Sequence, residues 1–124
     1  MTYEQTINWN QLSMILGDES DPIDEEMTDL FRDFIDDADQ RLDILDGYDP
    51  VSNPDGVAHE AHKTRGAALS FGFERFASIL QTVETRVLEL SPEEISRLLE
   101  AARETFGRSK GEVSQRYAYL ATVS

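Results

Sequence analysis

Apolar residues recur at spacings of three and four along nearly the whole chain, and no segment shows the strict alternation of a half-buried strand. Glycine and proline are sparse, so few positions interrupt this pattern. The pattern therefore predicts an all-α protein in which each helix buries one apolar stripe.

The first predicted helix is short, since Asn8 can cap its start and Gly17 can end it. Its shared face holds Trp9, Leu12, Ile15 and Leu16. The second helix is expected to begin near Asp21 and Pro22. Its predicted buried stripe is Ile23, Met27, Leu30, Phe31, Phe34, Ala38, Leu42 and Leu45. A loop, GYDPVSNPDG, follows, and a third helix is expected from Asn53 or Asp55 to about Gly72.

Two further stripes complete the prediction. The fourth helix is expected to bury Phe73, Phe76, Leu80, Val83, Val87 and Leu90. The fifth opens with a capping box, Ser91 to Glu94, and carries Ile95, Leu98, Ala102, Phe106, Val113, Tyr117 and Leu120 across Gly107 and Gly111. Four long helices joined by short loops predict an antiparallel up-down-up-down four-helix bundle, with the first helix as a short N-terminal lid. We expect residues 1–124 to form a single domain.

The composition of the chain excludes several classes of function. Twenty-five acidic and eleven basic residues give a net charge of −14, which argues against binding of nucleic acid or of an anionic membrane. The absence of cysteine excludes thiolate zinc sites and thiol catalysis. The acidic runs DESDPIDEE and DDADQ lack the ligand spacing of a calcium loop, so no metal site is expected. Without a signal peptide or an apolar run of membrane-spanning length, the chain is expected to be cytoplasmic.

The third helix carries the candidate chemistry. At about 100° per residue, and with Val57 at zero, the predicted core face is Ala61, Thr64, Ala68 and Phe71. On the same scale His62 lies at about 140°, so it points out of the core. The other outward residues are Arg65 at about 80°, Leu69 at about 120° and Gly66 at about 180°.

This outward group suits phosphoryl transfer. A neutral imidazole nitrogen is a nucleophile that can accept a phosphoryl group without a metal or cofactor of its own. Arg65, three residues after His62, can neutralise phosphoryl oxygens, and Gly66 leaves room beside the ring. Leu69 adds an exposed apolar contact for a docking partner.

The stretch AHKTRGAALSFG, residues 61–72, resembles the signature of histidine-containing phosphotransfer (HPt) domains. The matching positions are His62, Arg65 in place of the usual lysine, Gly66, Ala67, Ala68 and Gly72. The likeness extends over essentially the whole chain, from the short helix with Trp9 through the acidic second helix to Val83 and Glu84 in the fourth.

This resemblance implies a phosphorelay intermediate. His62 would be the phosphoacceptor, exchanging a phosphoryl group with the aspartate of a receiver domain in a response regulator or hybrid histidine kinase. Arg65 would stabilise the phosphoryl group and Gly66 would give steric clearance. The magnesium ion would belong to the receiver, and the chain would be a monomeric carrier with no cofactor, not an enzyme. Lys63, Leu69 and Arg75 are the predicted docking residues.

Several alternatives stay open. His59 also lies on the third helix, but the residue three positions later is His62 instead of a basic residue. The chain could instead bind receiver domains without being phosphorylated, as an adaptor or inhibitor, or could be a purely structural helical module. The partner of the second ring nitrogen of His62 is also open, with Ser78 and Gln81 as candidates. The sequence contains no glycine-rich nucleotide-binding loop, so a kinase activity is not expected.

Overall fold

The computed structural model describes residues 6–17 and 25–117, and this part of the chain forms five α-helices. They are α1 (Trp9–Leu16), α2 (Glu25–Gly47), α3 (Pro54–Ser70), α4 (Glu74–Arg86) and α5 (Pro92–Arg116). The all-α class predicted from the periodicity is therefore confirmed. Among these described helices there is none with the length and apolar character needed to cross a membrane.

The helix ends follow the capping signals of the sequence. The Asn8 side chain accepts a hydrogen bond from the Gln11 backbone at 3.1 Å, and Gly17 ends α1 with a φ of 76°. Asn53, not Asp55, caps α3. Ser91 and Glu94 form the reciprocal capping box of α5, which continues unbroken through Gly107 and Gly111. The predicted start near Asp21 and the stripe residues Ile23 and Leu120 lie outside the described residues.

The four long helices pack in a closed ring. α3 contacts α2 and α4, and α5 likewise contacts α4 and α2, so α3 and α5 occupy opposite sides of the ring. α1 packs against α2. Each helix turns its apolar stripe inward, which gives one continuous core of buried side chains.

All six phenylalanines of the chain join in one aromatic cluster, formed by Phe31, Phe34, Phe71, Phe73, Phe76 and Phe106. The rings of Phe34 and Phe71 stack with centroids 4.7 Å apart, and those of Phe76 and Phe106 lie 4.8 Å apart. Because Phe71 follows directly on α3, the cluster fixes the end of that helix against α2 and against the start of α4.

The predicted stripe of α2 is wrong at its beginning. Met27 and Leu30 are 40% and 49% exposed, whereas Thr28 and Ile35 are buried. The buried face of α2 lies between α3 and α5, the two helices that it contacts. In the first turns of α2 this face contains Thr28, and Met27 and Leu30 lie outside it. In α5, similarly, Leu99 is buried while Leu98 is only partly so.

α1 lies over the turn that joins α3 to α4. The backbone N–H of Asn8 donates to the Gly72 carbonyl at 2.7 Å, and the side chain of Gln11 donates to the Ser70 carbonyl at 2.9 Å. Gly72 has a φ of 78°, and a Cβ there would lie 2.6 Å from the Asn8 carbonyl oxygen. The turn therefore requires glycine at this position for both conformation and space.

Candidate functional site

The two faces of α3 are arranged as the helical angles predict. Val57, Ala61, Thr64 and Ala68 are buried, and the partly buried Phe71 caps the helix. On the outward face the His62 side chain is 59% exposed. Gly66 and Leu69 are exposed on the same outward face.

Glu84 of α4 holds the His62 ring. The ring nitrogen Nδ1 lies 2.8 Å from Oε2 of Glu84. Arg65 donates from Nε to the other carboxylate oxygen, Oε1, at 3.0 Å, and its Nη2 lies 3.1 Å from His62 Nδ1. One carboxylate thus fixes both the imidazole and the guanidinium.

The charge of Glu84 decides which nitrogen of His62 carries the proton. Partial burial is the largest single influence and raises the pKa of Glu84, but the hydrogen bonds from His62 and Arg65 and the charge of Arg65 lower it, so that pKa lies below its ordinary value. An ionised carboxylate only accepts hydrogen bonds, so we assign the hydrogen to Nδ1. The short approach of Arg65 Nη2 to Nδ1 is then a contact between two donors, not a hydrogen bond.

This tautomer leaves a lone pair on the other ring nitrogen, Nε2. Because Nδ1 faces Glu84, Nε2 lies on the opposite side of a ring that is mostly exposed. The site can therefore present a neutral, oriented, nucleophilic nitrogen to a partner molecule.

Sequence reasoning missed the role of Glu84, which entered the sequence analysis only as part of the likeness to the family. Ser78 and Gln81, the two candidates named for the second nitrogen, instead line a groove of about 240 Å³ beside Arg65 and Leu69. A signal for Glu84 was present, since His62 and Glu84 are equally distant from Phe73 along the chain. A helical hairpin that turns at Phe73 brings such positions level with each other.

The remaining predicted site residues lie in different places. Lys63 is exposed on α3 and forms no ion pair with any residue in 6–17 or 25–117. Gly66 is open, because a Cβ there would meet no atom within 4 Å. Arg75 is not brought to this face, since it lines the groove between α4 and α5 together with Ala101 and Arg108. The cause is helical phase: Arg75 and Glu84 are on opposite flanks of the α4 stripe.

His59 is exposed on the outward side of α3, like His62. Only His62 has a carboxylate and a guanidinium beside its ring among the described contacts. In the ranges 6–17 and 25–117, no group of three or more histidine or acidic side chains is placed to hold a metal ion.

Fold and site together define an all-α module that presents one exposed, oriented histidine from the face of a bundle helix. A family model of the Hpt domain matches residues 29–107, more than half of the chain, and the chain belongs to this family. The matched range contains α3, α4 and most of α2 and α5. No curated protein and no solved structure matches the chain significantly.

Membership gives the general function. Hpt domains carry out phosphotransfer in two-component signalling, where they work with the receiver domains of response regulators or kinases. As a rule they are phosphocarrier modules and not enzymes.

Proposed function

We propose that His62 is the phosphoacceptor of this domain and that it exchanges a phosphoryl group with the aspartate of receiver domains. The observation that carries the proposal is the hydrogen bond between His62 Nδ1 and the ionised Glu84 carboxylate, at 2.8 Å, on an otherwise exposed ring. It leaves Nε2 unprotonated and directed toward solvent.

In the forward step the Nε2 lone pair attacks the phosphorus of a receiver aspartyl phosphate. A P–N bond forms, the P–O bond to the aspartate breaks, and the aspartate leaves as a carboxylate. The Nδ1 proton stays in place throughout, because Glu84 accepts its hydrogen bond before and after transfer. As the ring takes up positive charge in the transition state, the Glu84 carboxylate stabilises it. The reverse step returns the phosphoryl group by the same path.

Arg65 has two roles in this proposal. Its Nε holds the Glu84 carboxylate in place. A guanidinium has five N–H donors, so those that do not contact Glu84 remain for the phosphoryl oxygens on Nε2. A lysine ammonium is a single point charge and could not span both groups with the same geometry.

Gly66, Lys63 and Leu69 form the proposed docking face around His62. A side chain at Gly66 would meet no other atom of the described residues, so packing within the fold does not explain the glycine. This supports a role for the open space in receiving the partner. Lys63 offers a positive charge that no carboxylate of the described ranges neutralises, and Leu69 offers an apolar side chain that is 45% exposed. Leu30 adds a further exposed apolar group near the end of α3, since it precedes Phe31, whose ring lies 5.8 Å from that of Phe71.

We also propose that residues 1–124 form one domain with up-down-up-down helices and α1 as its lid. The closed ring of helix contacts and the hydrogen bonds of α1 to the α3–α4 turn support this arrangement. A net charge of −14 supports a monomer, because like charge opposes self-association.

The direct test is incubation with phosphorylated receiver domains of the source organism. We expect acid-labile phosphate on wild type and none on His62→Gln. The matched control is His59→Gln, which removes the other histidine from the same exposed helix and should accept phosphate as wild type does.

Phosphate on His62→Gln, or its loss in His59→Gln, would contradict the site assignment. Receiver binding without phosphate transfer to wild type would instead indicate an adaptor or inhibitor.

A further inference from the structure

Both histidines of the chain lie on the outward face of α3, three residues apart. On the angular scale that places Val57 at zero, His62 lies at about 140° and His59 at about 200°. Both side chains are exposed. Residues at i and i+3 of a helix have Cβ atoms about 5–6 Å apart, so two imidazole rings at these positions can reach one bound ion together.

His59 lies on the free side of the His62 ring. Glu84 holds Nδ1 of His62 from the side of α4, where Arg65 also lies, at about 80°. His59 lies on the opposite flank of His62, toward α2. Aromatic and other long side chains of a helix lean toward its N-terminus, which brings the His62 ring over the turn that contains His59. The unprotonated Nε2 is therefore the nitrogen that His59 can approach.

The contact with Glu84 is also the support that a metal-binding histidine has in most proteins. Such a histidine binds the metal through one ring nitrogen and donates its other N–H to a carboxylate, a backbone carbonyl or water, which fixes its tautomer and orientation. His62 donates from Nδ1 to Glu84 at 2.8 Å and keeps the lone pair of Nε2. Within residues 6–17 and 25–117 no hydrogen bond or ion pair restrains His59, so its ring can turn to present either nitrogen.

We propose that His59 and His62 together bind a Zn²⁺ ion, with Nε2 of His62 as one of the two protein ligands. Imidazole nitrogen suits zinc, whereas Mg²⁺ and Ca²⁺ prefer oxygen ligands. The site should therefore ignore magnesium, including the magnesium that a receiver domain needs. The proposed function requires no metal on this chain, so zinc would be an inhibitory ligand and not a cofactor.

Two protein ligands leave the remaining positions around a tetrahedral zinc to water. Asp55 shares the outward face, at about 160°, but does not complete a three-residue site with the histidines. Lys63, at about 240°, places a positive charge beside His59. The affinity therefore comes from the two imidazoles and not from local negative charge, and we expect reversible binding.

The metal and the phosphoryl group need the same lone pair. Zinc on Nε2 of His62 leaves no electron pair for attack on phosphorus, and a phosphoryl group on Nε2 leaves none for zinc. The two ligands therefore exclude each other, and by linkage each lowers the affinity of the site for the other. This exclusion rests on the proposed function, whereas the binding of zinc does not.

Binding is measured on untagged, unphosphorylated protein by calorimetry and by NMR of the histidine rings, with ZnCl₂ at about pH 7.5, where a free imidazole is mostly neutral. The ring signals of both histidines should shift together, and MgCl₂ should shift neither. His59→Gln and His62→Gln should each weaken binding at least about tenfold, because two linked ligands become one.

Glu84→Ala should also weaken zinc binding about tenfold, because the carboxylate that orients a metal-binding histidine is lost. Its matched control is Glu89→Gln, which removes a carboxylate that pairs with Arg86 and should bind zinc as wild type does. Wild-type affinity in His59→Gln, or His59 ring signals that do not move with zinc, would overturn the site.

The exclusion is tested by the rate of phosphoryl transfer from a phosphorylated receiver domain. At the zinc concentration that fills half of the wild-type sites, the wild-type rate should be halved, and His59→Gln should keep its rate at the same concentration. This comparison cancels any action of zinc on the receiver. Equal inhibition of the two proteins would overturn the exclusion. Failure of zinc-free wild type to accept phosphate would instead remove the proposed function, and the zinc titration would still decide the metal site.

Discussion

At the scale of single residues, the site is a triangle in which Glu84 serves two donors. The carboxylate holds His62 through one oxygen and Arg65 through the other. Arginine suits this place because its planar head reaches the carboxylate with Nε while other N–H groups stay near the ring. Arginine in place of the usual lysine at position 65 therefore keeps the positive charge and lets one side chain contact both Glu84 and the space beside the His62 ring.

Glu84 is expected to set the tautomer of His62. Glu84→Ala removes the acceptor for Nδ1, so the Nδ1–H tautomer should become less populated in ¹⁵N NMR. Transfer should slow about tenfold, by analogy with the losses seen when the carboxylate that orients a metal-binding histidine is removed. Glu84→Gln keeps an acceptor oxygen and should fall in between. The control is Glu89→Gln, which removes a carboxylate that pairs with Arg86 away from the site. An unchanged tautomer ratio in Glu84→Ala would contradict the assignment.

The same residue gives a pH signature. The folded pKa of Glu84 lies below its ordinary value of 4.5, so its contribution to stability is fully present above that value. The contribution is lost as the pH falls through the lower, folded pKa. Wild type should therefore lose more stability than Glu84→Gln between about pH 5 and pH 3 in denaturant titrations. An equal loss in the two proteins over this range would contradict the lowered pKa of Glu84.

At the scale of helices, α3 has two faces. One face packs in the core and is needed for folding, whereas the other is open to solvent and is not needed for folding. Gly66 illustrates this difference, since a helix gains stability from almost any other residue at an open position. Gly107 of α5 is equally open, because a Cβ at that position would also meet no atom within 4 Å. The two glycines thus form a matched pair that differs in distance from His62.

Replacing either glycine with glutamine should raise the free energy of unfolding by about 0.5 kcal/mol, as measured by chemical denaturation. Only Gly66→Gln should block phosphoryl transfer, because its side chain fills the space beside His62. Full transfer by Gly66→Gln would show that the open space has no part in docking.

Helix ends and most buried positions could be predicted from the sequence, because capping and periodicity are local. Asn8, Asn53 and Ser91 all cap as their side chains suggest. The exposure of Leu30 could not be predicted, since it depends on which neighbours flank α2 at that level. Glu84 was missed for the same reason: its role follows from the alignment of two helices and not from any motif of its own.

At the scale of the whole molecule, the turn at Gly72 joins α1 to the helix that carries the site. Its backbone accepts the hydrogen bond from Asn8, and the far end of α1 is held by the end of α5, where the Tyr117 hydroxyl donates to the Gly17 carbonyl. Arg116 of α5 lies 4.3 Å from the centre of the Trp9 ring. α1 is thus attached both to the α3–α4 turn and to α5.

Gly72→Ala should break this attachment. A left-handed φ and a Cβ at 2.6 Å from the Asn8 oxygen should together cost about 2 kcal/mol of stability. Because Trp9 is the single tryptophan, its fluorescence should report the release of α1. Gly111→Ala, at an open helical position, should be neutral or stabilising. A Trp9 signal identical to that of wild type in Gly72→Ala would contradict the close approach.

The phenylalanine cluster has a consequence for how a partner binds. With Phe71 stacked on Phe34 and Phe73 packed at 5.1 Å from the same ring, the backbone at the end of α3 is held before any partner arrives. Docking then freezes few main-chain torsions on this side of the complex, which lowers the entropic penalty of association. If receivers dock on the histidine face as proposed, this face should act as a rigid template, and the adjustment on binding should fall to side chains such as Lys63 and to the partner.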